Sequence, residues 1–80
     1  MAVVRLFAAA RIAAGTGCDQ VSGATVDEVL AAAAERYGEG FVEVLRRCQV
    51  WLNGEPAEGD APLGEEDEVG ILPPVSGGGR

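Results

Sequence analysis

One amphipathic helix in a chain of only 80 residues leaves little freedom in how this sequence folds. Thr25-Val26-Asp27-Glu28 has the spacing of a capping box. In that motif the threonine hydroxyl and the glutamate carboxylate accept hydrogen bonds from backbone N–H groups that the first helical turn leaves unpaired. Val26, Val29, Leu30, Ala33 and Tyr37 follow at i, i+3, i+4, i+7 and i+11 and draw one apolar stripe. Gly38 then stands where a left-handed C-cap is expected. A second domain is excluded, because half of this length cannot bury a core. At about 0.05–0.15 kcal/mol per residue, the whole fold is held by about 4–12 kcal/mol. So small a body has little room for an internal cleft, and its function is expected on a surface or at a terminus.

Short extended segments flank the helix. Ala2 to Ala8 alternates Val4 and Leu6 against Val3, Arg5 and Phe7, the pattern of a strand. Ala9 to Gly17 reads as a connection with room for one helical turn. Cys18 to Gly23 is a weaker strand and the expected hairpin partner of the first. Phe41, Val44, Leu45 and Cys48 suggest a second, shorter helical stretch. Gln49 to Asn53 is a third strand, ended by the turn signal Asn53-Gly54. Glu55 to Leu63 is expected to be irregular or a brief strand, since Pro56 and Pro62 limit ladder pairing. After the acidic turn Gly64 to Asp67, Glu68 to Leu72 is the last strand. Pro73-Pro74 stops it, because neither residue can donate to a ladder. A sheet covered on one face by one main helix buries every apolar face in this order. The expected class is α+β: a β-grasp domain over 1–74 with a four- to five-stranded mixed sheet, followed by a flexible glycine-rich tail over 75–80.

Composition removes several functions. The formal net charge is −7, from 13 acidic and 6 basic side chains, and every basic residue is arginine. That balance repels phosphate backbones, so no nucleic-acid partner is expected, while it suits a basic protein surface. There is no histidine, which excludes histidine-based triads and histidine metal sites. Two cysteines cannot alone complete a zinc or iron–sulfur site, and Cys18 and Cys48 are expected to be reduced and partly buried. Without lysine there is no phosphate-cradling loop of the lysine type. No metal or cofactor bound by the chain itself is expected. Arg5 and Arg11 break up the apolar start, leaving no convincing signal peptide, and no segment reaches the length of a membrane span. The expected location is the cytoplasm.

Four motifs together resemble the MoaD/ThiS family of ubiquitin-like sulfur carriers, particularly the small subunit of molybdopterin synthase. They are Val4-Arg5-Leu6-Phe7-Ala8 with Arg11 and Gly15, then Leu52-Asn53-Gly54, then Pro62-Leu63-Gly64-Glu65-Glu66-Asp67-Glu68-Val69, and finally Pro73-Pro74-Val75-Ser76-Gly77-Gly78. The resemblance covers nearly the whole chain, and its last motif is the most specific. It implies a protein that is no enzyme on its own but the sulfur-donating small subunit of a synthase complex. An adenylating enzyme of the ubiquitin-activating type would use ATP to adenylate the terminal glycine carboxylate. Sulfur would then displace AMP and leave a thiocarboxylate. The other implied partner is the large subunit of molybdopterin synthase or another sulfur-accepting synthase. Glycine suits a narrow channel because it lacks a Cβ. Val75 to Gly78 would span about 13–14 Å when extended at ~3.3–3.6 Å per residue.

The family's mature form ends in diglycine, whereas here Gly79 and Arg80 follow Gly78. The resemblance therefore implies removal of Gly79-Arg80 by a protease, of which a JAMM-type metalloprotease is one candidate, exposing Gly78; cleavage after Gly79 is the alternative. Gly77, Gly78 and Gly79 are the expected reactive end. Strand alternation places Phe7, Trp51 and Leu72 on the open sheet face as partner-binding anchors; Pro74 and Val75 are expected to bind the partner too, and Pro73-Pro74 aims the tail by restricting its base. Other recipients of the sulfur stay open: thiamine, cysteine or a sulfur-containing natural product. So does a β-grasp binding module that never conjugates.

Overall fold

Strand alternation at the two ends of the chain sets the core. The computed structural model describes residues 1–73. In it Val4 and Leu6 of strand β1 (Ala2–Leu6) are buried beside Val69 and Ile71 of the last strand (Glu68–Leu72). Between them lie α1 (Ala8–Ala14), β2 (Cys18–Val21), α2 (Val26–Tyr37), α3 (Glu39–Leu45), β3 (Gln49–Leu52) and β4 (Glu55–Pro56), which makes the last strand β5. The sheet order is β2-β1-β5-β3-β4. β1 and β5 run parallel, with Val4 opposite Val69 and Leu6 opposite Ile71, and the other pairs are antiparallel. The helices cover one face, and the core between them is apolar throughout, with no fully buried polar residue among the described ones. This is the β-grasp fold. No helix of the described residues is long and apolar enough to cross a membrane.

α2 starts where the capping box predicts. The Glu28 N–H donates to Thr25 Oγ1 at 3.2 Å, and the Ala24 N–H donates to Glu28 Oε1 at 2.9 Å. The loop before β5 completes the cap, because the Val26 and Asp27 N–H groups donate to the carbonyls of Ala61 and Gly59. Every early N–H of the helix thus has a partner, and a Cβ at Gly59 would collide with the Asp27 carboxylate at 2.3 Å.

Three expectations need correction. The connection after β1 holds a seven-residue helix rather than a single turn. Its alanine-rich run, AAARIAA, has strong intrinsic helix propensity, and Gly15 caps it in the left-handed conformation with its N–H on the Arg11 carbonyl. Gly38 is not a left-handed cap: its φ of 95° and ψ of −173° form a sharp corner that ends α2 and opens α3. Cys18 is exposed instead of partly buried, since it stands on an edge strand opposite the outward Arg5. Cys48 is half-buried, and both thiols are free.

Phe41 of α3 is fully buried and meets Tyr37 edge-on, with ring centroids 5.1 Å apart. The Tyr37 hydroxyl donates to Asp19 on β2, whose carboxylate also receives Arg36 Nη1 at 2.9 Å. These bonds hold the Asp19 carboxyl below the usual carboxylate range. Burial first, and then the Asp19 contact, push the Tyr37 phenol up to about 12.

Two outcomes follow for stability. Phe41→Ala is expected to remove about 3–5 kcal/mol of the roughly 4–12 kcal/mol available, leaving a chain that unfolds in low urea. In the unfolded chain Tyr37 titrates near 10. Its contribution to stability is therefore complete below about pH 10 and is lost as pH rises toward about 12. Tyr37→Phe should lower the melting temperature at pH 7 and flatten its further fall between about pH 10 and pH 12.

Candidate functional site

The sheet face turned away from the helices carries the side chains that alternation leaves over. In β1 it shows Arg5, in β3 Trp51, and in β5 Glu68, Gly70 and Leu72; Phe7 follows β1 at the start of α1. Register brings them together. Arg5 and Trp51 stand on either side of Gly70, and Gln49 stands opposite Leu72. The Phe7 N–H donates to the Ile71 carbonyl at 3.1 Å, which places Phe7 beside Leu72. Phe7 is 44% exposed, while Trp51 and Leu72 are half-buried. Together with Gly54 these residues surround a shallow recess of about 180 Å³.

Each anchor is held by local chemistry. The Trp51 indole N–H donates to Gln49 Oε1 at 3.1 Å, which fixes the orientation of the ring. Arg5 Nε lies 2.6 Å from Glu68 Oε2, and that hydrogen bond raises the pKa of the guanidinium. Both side chains are about half exposed, so the pair orients two charges on the face and adds little stability. Phe7 is turned outward by the backbone: it is extended, and the next residue, Ala8, has a φ of 53°. A left-handed alanine is strained by about 1–2 kcal/mol, and such strain tends to mark functional turns.

A second group fixes the rim. Asn53 and Gly54 both have positive φ and form the tight turn between β3 and β4. The Asn53 side chain donates to Asp67 Oδ1 at 3.1 Å and accepts from the Glu68 N–H at 2.9 Å. Asp67 also accepts from the Gly64 N–H at 2.7 Å, and these bonds hold its carboxyl below the usual range. The turn motif and the acidic-turn motif of the sequence are thus one lock. Each motif reads in the sequence as a separate turn, and no sequence spacing joins the two.

The central strand delivers the chain to the edge of this face. β5 ends at Leu72, and Pro73 borders a separate apolar recess of about 260 Å³ with Ala9, Val44 and Cys48, rimmed by Glu43 and Arg47. Burial pushes the Cys48 thiol pKa up. Pro74, Val75, Gly77, Gly78 and Gly79 lie outside the described residues. The structure therefore brings Phe7, Trp51 and Leu72 together, and gives the place from which the remaining expected site residues continue.

Comparison with known proteins supplies a family. The model of the ThiS family matches residues 4–78. The solution structure of small archaeal modifier protein 1 from Methanosarcina acetivorans is 34% identical, with a TM-score of 0.83, over 96% of this chain and 95% of that one. The crystal structure of the corresponding Haloferax volcanii protein is 30% identical, with a TM-score of 0.77, over 96% and 98%. A complex of subunits 1 and 2 of the molybdopterin-converting factor from Helicobacter pylori contains a chain 28% identical, with a TM-score of 0.73, over 96% and 97%. No curated protein sequence matches.

The turn that presents Phe7 can be checked directly. Ala8→Gly should change unfolding free energy by no more than about 0.5 kcal/mol, since relief of strain is offset by unfolded-state entropy. Ala8→Val, which puts a β-branched residue at positive φ, should lose about 1–2 kcal/mol in urea titration.

Proposed function

The chain belongs to the ThiS family of ubiquitin-like sulfur carriers, and on that premise we propose that Gly78 is its working terminus and is converted to a thiocarboxylate. The observation that carries this reading is the coincidence of two ends. The family match stops at Gly78, and the central strand stops at Leu72, beside the apolar anchors Phe7 and Trp51. A partner seated on those anchors holds the body still while the intervening residues reach its catalytic centre. On this reading the chemistry belongs to that partner, and the described interior, which is apolar, serves to hold the fold.

The reaction runs in balanced steps. A protease hydrolyses the Gly78–Gly79 bond and frees the Gly78 carboxylate. In an activating enzyme that carboxylate attacks the α-phosphorus of ATP, forming the acyl adenylate and releasing pyrophosphate. A hydrosulfide-class nucleophile attacks the carbonyl carbon, AMP departs, and a thiocarboxylate remains. The thiocarboxylate sulfur attacks an electrophilic carbon of the acceptor, either adding to an unsaturated carbon whose π electrons move to the neighbouring atom or displacing a leaving group that departs with the bonding pair. Water then cleaves the acyl–sulfur bond, leaving sulfur on the acceptor and regenerating the Gly78 carboxylate. The dependence on ATP places the work in the cytoplasm.

For the acceptor, molybdopterin synthesis is the leading assignment, supported by the likeness to subunit 1 of a molybdopterin-converting factor solved with its subunit 2. Thiamine, cysteine and sulfur-containing natural products are the other acceptor classes. The likeness to small archaeal modifier protein 1 favours a second use of the same adenylate, attack by a protein amine in place of sulfide. This chain has no lysine, so such conjugates would carry single copies, with no ε-amine on which to extend.

The test is ATP–pyrophosphate exchange with the adenylating enzyme of the same organism. A chain ending at Gly78 is expected to support exchange and, with hydrosulfide, to gain the mass of one sulfur in place of one oxygen. The chain ending at Arg80 and one ending at Gly77 are expected to support neither. The reading fails if the Gly78-ended chain is inert while an established carrier reacts with its own enzyme in the same assay.

A further inference from the structure

Gly70 is the one described glycine inside a strand, and nothing in the fold demands it. Several other described glycines are required by their surroundings, although Gly40 in α3 and Gly64 in a turn are not. Gly15, Gly38 and Gly54 have positive φ, and a Cβ on Gly23 would sit 2.7 Å from Val29. A Cβ on Gly70 would meet only Leu72 Cδ1 at 3.4 Å and the Trp51 carbonyl at 4.0 Å, both ordinary contacts, and its φ lies outside the left-handed range. A glycine at the centre of a sheet weakens the strand and often marks a place where another molecule approaches closely. Here it leaves the floor of the 180 Å³ recess bare, with Trp51 on one side, Phe7 and Leu72 along the strand, and the Arg5–Glu68 pair at the rim.

We propose that Gly70 is a specificity-determining position: the recess above it receives one apolar side chain of the adenylating partner, of leucine, methionine or phenylalanine type. This rests on the carrier reading above and names how that partner is gripped. The walls are apolar and the rim is charged, so the entering side chain is apolar and its neighbours are ionic. A carrier of net charge −7 fits a socket whose remaining rim is basic. β5 continues from Gly70 to Leu72, and Pro73 follows it. A side chain seated over Gly70 therefore fixes the direction in which the following residues are presented. A partner lacking such a side chain would still meet Phe7 and Leu72 but would leave the recess unfilled, which lowers affinity and provides discrimination.

The experiment uses chains ending at Gly78 with Gly70→Ala, Gly70→Val and Gly70→Leu, and reads melting temperature and ATP–pyrophosphate exchange. The Ala and Val variants should melt at or above the wild-type temperature, since both residues suit a strand better than glycine. KM for the carrier should rise with side-chain size, by about tenfold or more for Gly70→Leu, with kcat at saturation unchanged. Should Gly70→Leu fail to fold, Gly70→Val decides by the same split. A wild-type KM for the largest folded variant overturns the proposal. Exchange by the unsubstituted chain ending at Gly78 tests the carrier reading itself, and Leu72→Asp separates failure of the recess from failure of the docking face. If Leu72→Asp loses exchange while the Gly70 variants do not, the docking face stands and the recess falls. If none of these variants alters exchange, both fall.

Discussion

The parallel pairing of the first and last strands is the constraint on which the rest depends. Parallel neighbours cannot be joined by a tight turn, so everything between Phe7 and Asp67 acts as one long crossover that must pack back on the sheet. It does so with α2 and the two shorter helices, and the inward side chains of β1 and β5 become fully buried. The same pairing decides the functional geometry. It brings Phe7 against Leu72 although 65 residues separate them, and it makes the strand that leads to Gly78 a central one. The end of a central strand, Leu72, is flanked on both sides by ordered surface, which an edge strand would not supply.

Polar interactions are kept at the margins of this apolar body, where each ties two distant segments. Asp19 with Tyr37 and Arg36 joins β2 to the end of α2. Asn53 with Asp67 joins the β3–β4 turn to the start of β5, and the loop carbonyls at Gly59 and Ala61 close the head of α2. None of these falls among Phe7, Trp51, Gly70 and Leu72. Stability and docking therefore draw on separate residues, and the open face is free to vary its chemistry without endangering the core. Two residues join them: Glu68, whose N–H is in the Asn53 lock and whose carboxylate pairs with Arg5 at the recess, and Ala8, a strained residue that the pairing of β1 holds in place so that Phe7 points outward.

How much of this could be read from the sequence depended on how local the determining interaction is. The capping box, the helical stripe and the period-two alternation all lie within a dozen residues, and they located α2, the core strands and the outward Phe7, Trp51 and Leu72. The helix after β1 was under-read because its alanines carry propensity without a sharp apolar period. Gly38 was assigned its usual left-handed role, whereas its ψ is set by the angle at which α3 must pack Phe41 into the core. Cys18 was misplaced because its exposure follows from β2 being an edge strand, a fact of topology. The Asn53–Asp67 lock, the Asp19–Tyr37 bond and the bare floor at Gly70 depend on register across the sheet. Gly70 in particular reads in sequence as a plain interruption of EVGIL, and only the space around it in the fold separates a tolerated glycine from a required one.

The proposed carrier role also explains why the docking face is so modest. A protein that must be activated by one enzyme and discharged at another needs fast arrival and ready departure more than tight binding. Net charge of −7 on 80 residues produces a long-range field that raises association rates toward basic surfaces and weakens as salt screens it. Departure is governed by short-range contacts, and here these are few: one exposed phenylalanine, one half-buried tryptophan, one leucine and a shallow recess. Extending the apolar patch would slow release from the activating enzyme, while removing it would leave only non-selective attraction between opposite charges. An apolar patch of this limited size, beside the root of a tail and within an acidic surface, meets both requirements at once. On the proposed role, successive partners would use the same anchors in turn, and transfer of the carrier would be ordered by which partner has already altered the chemistry at Gly78.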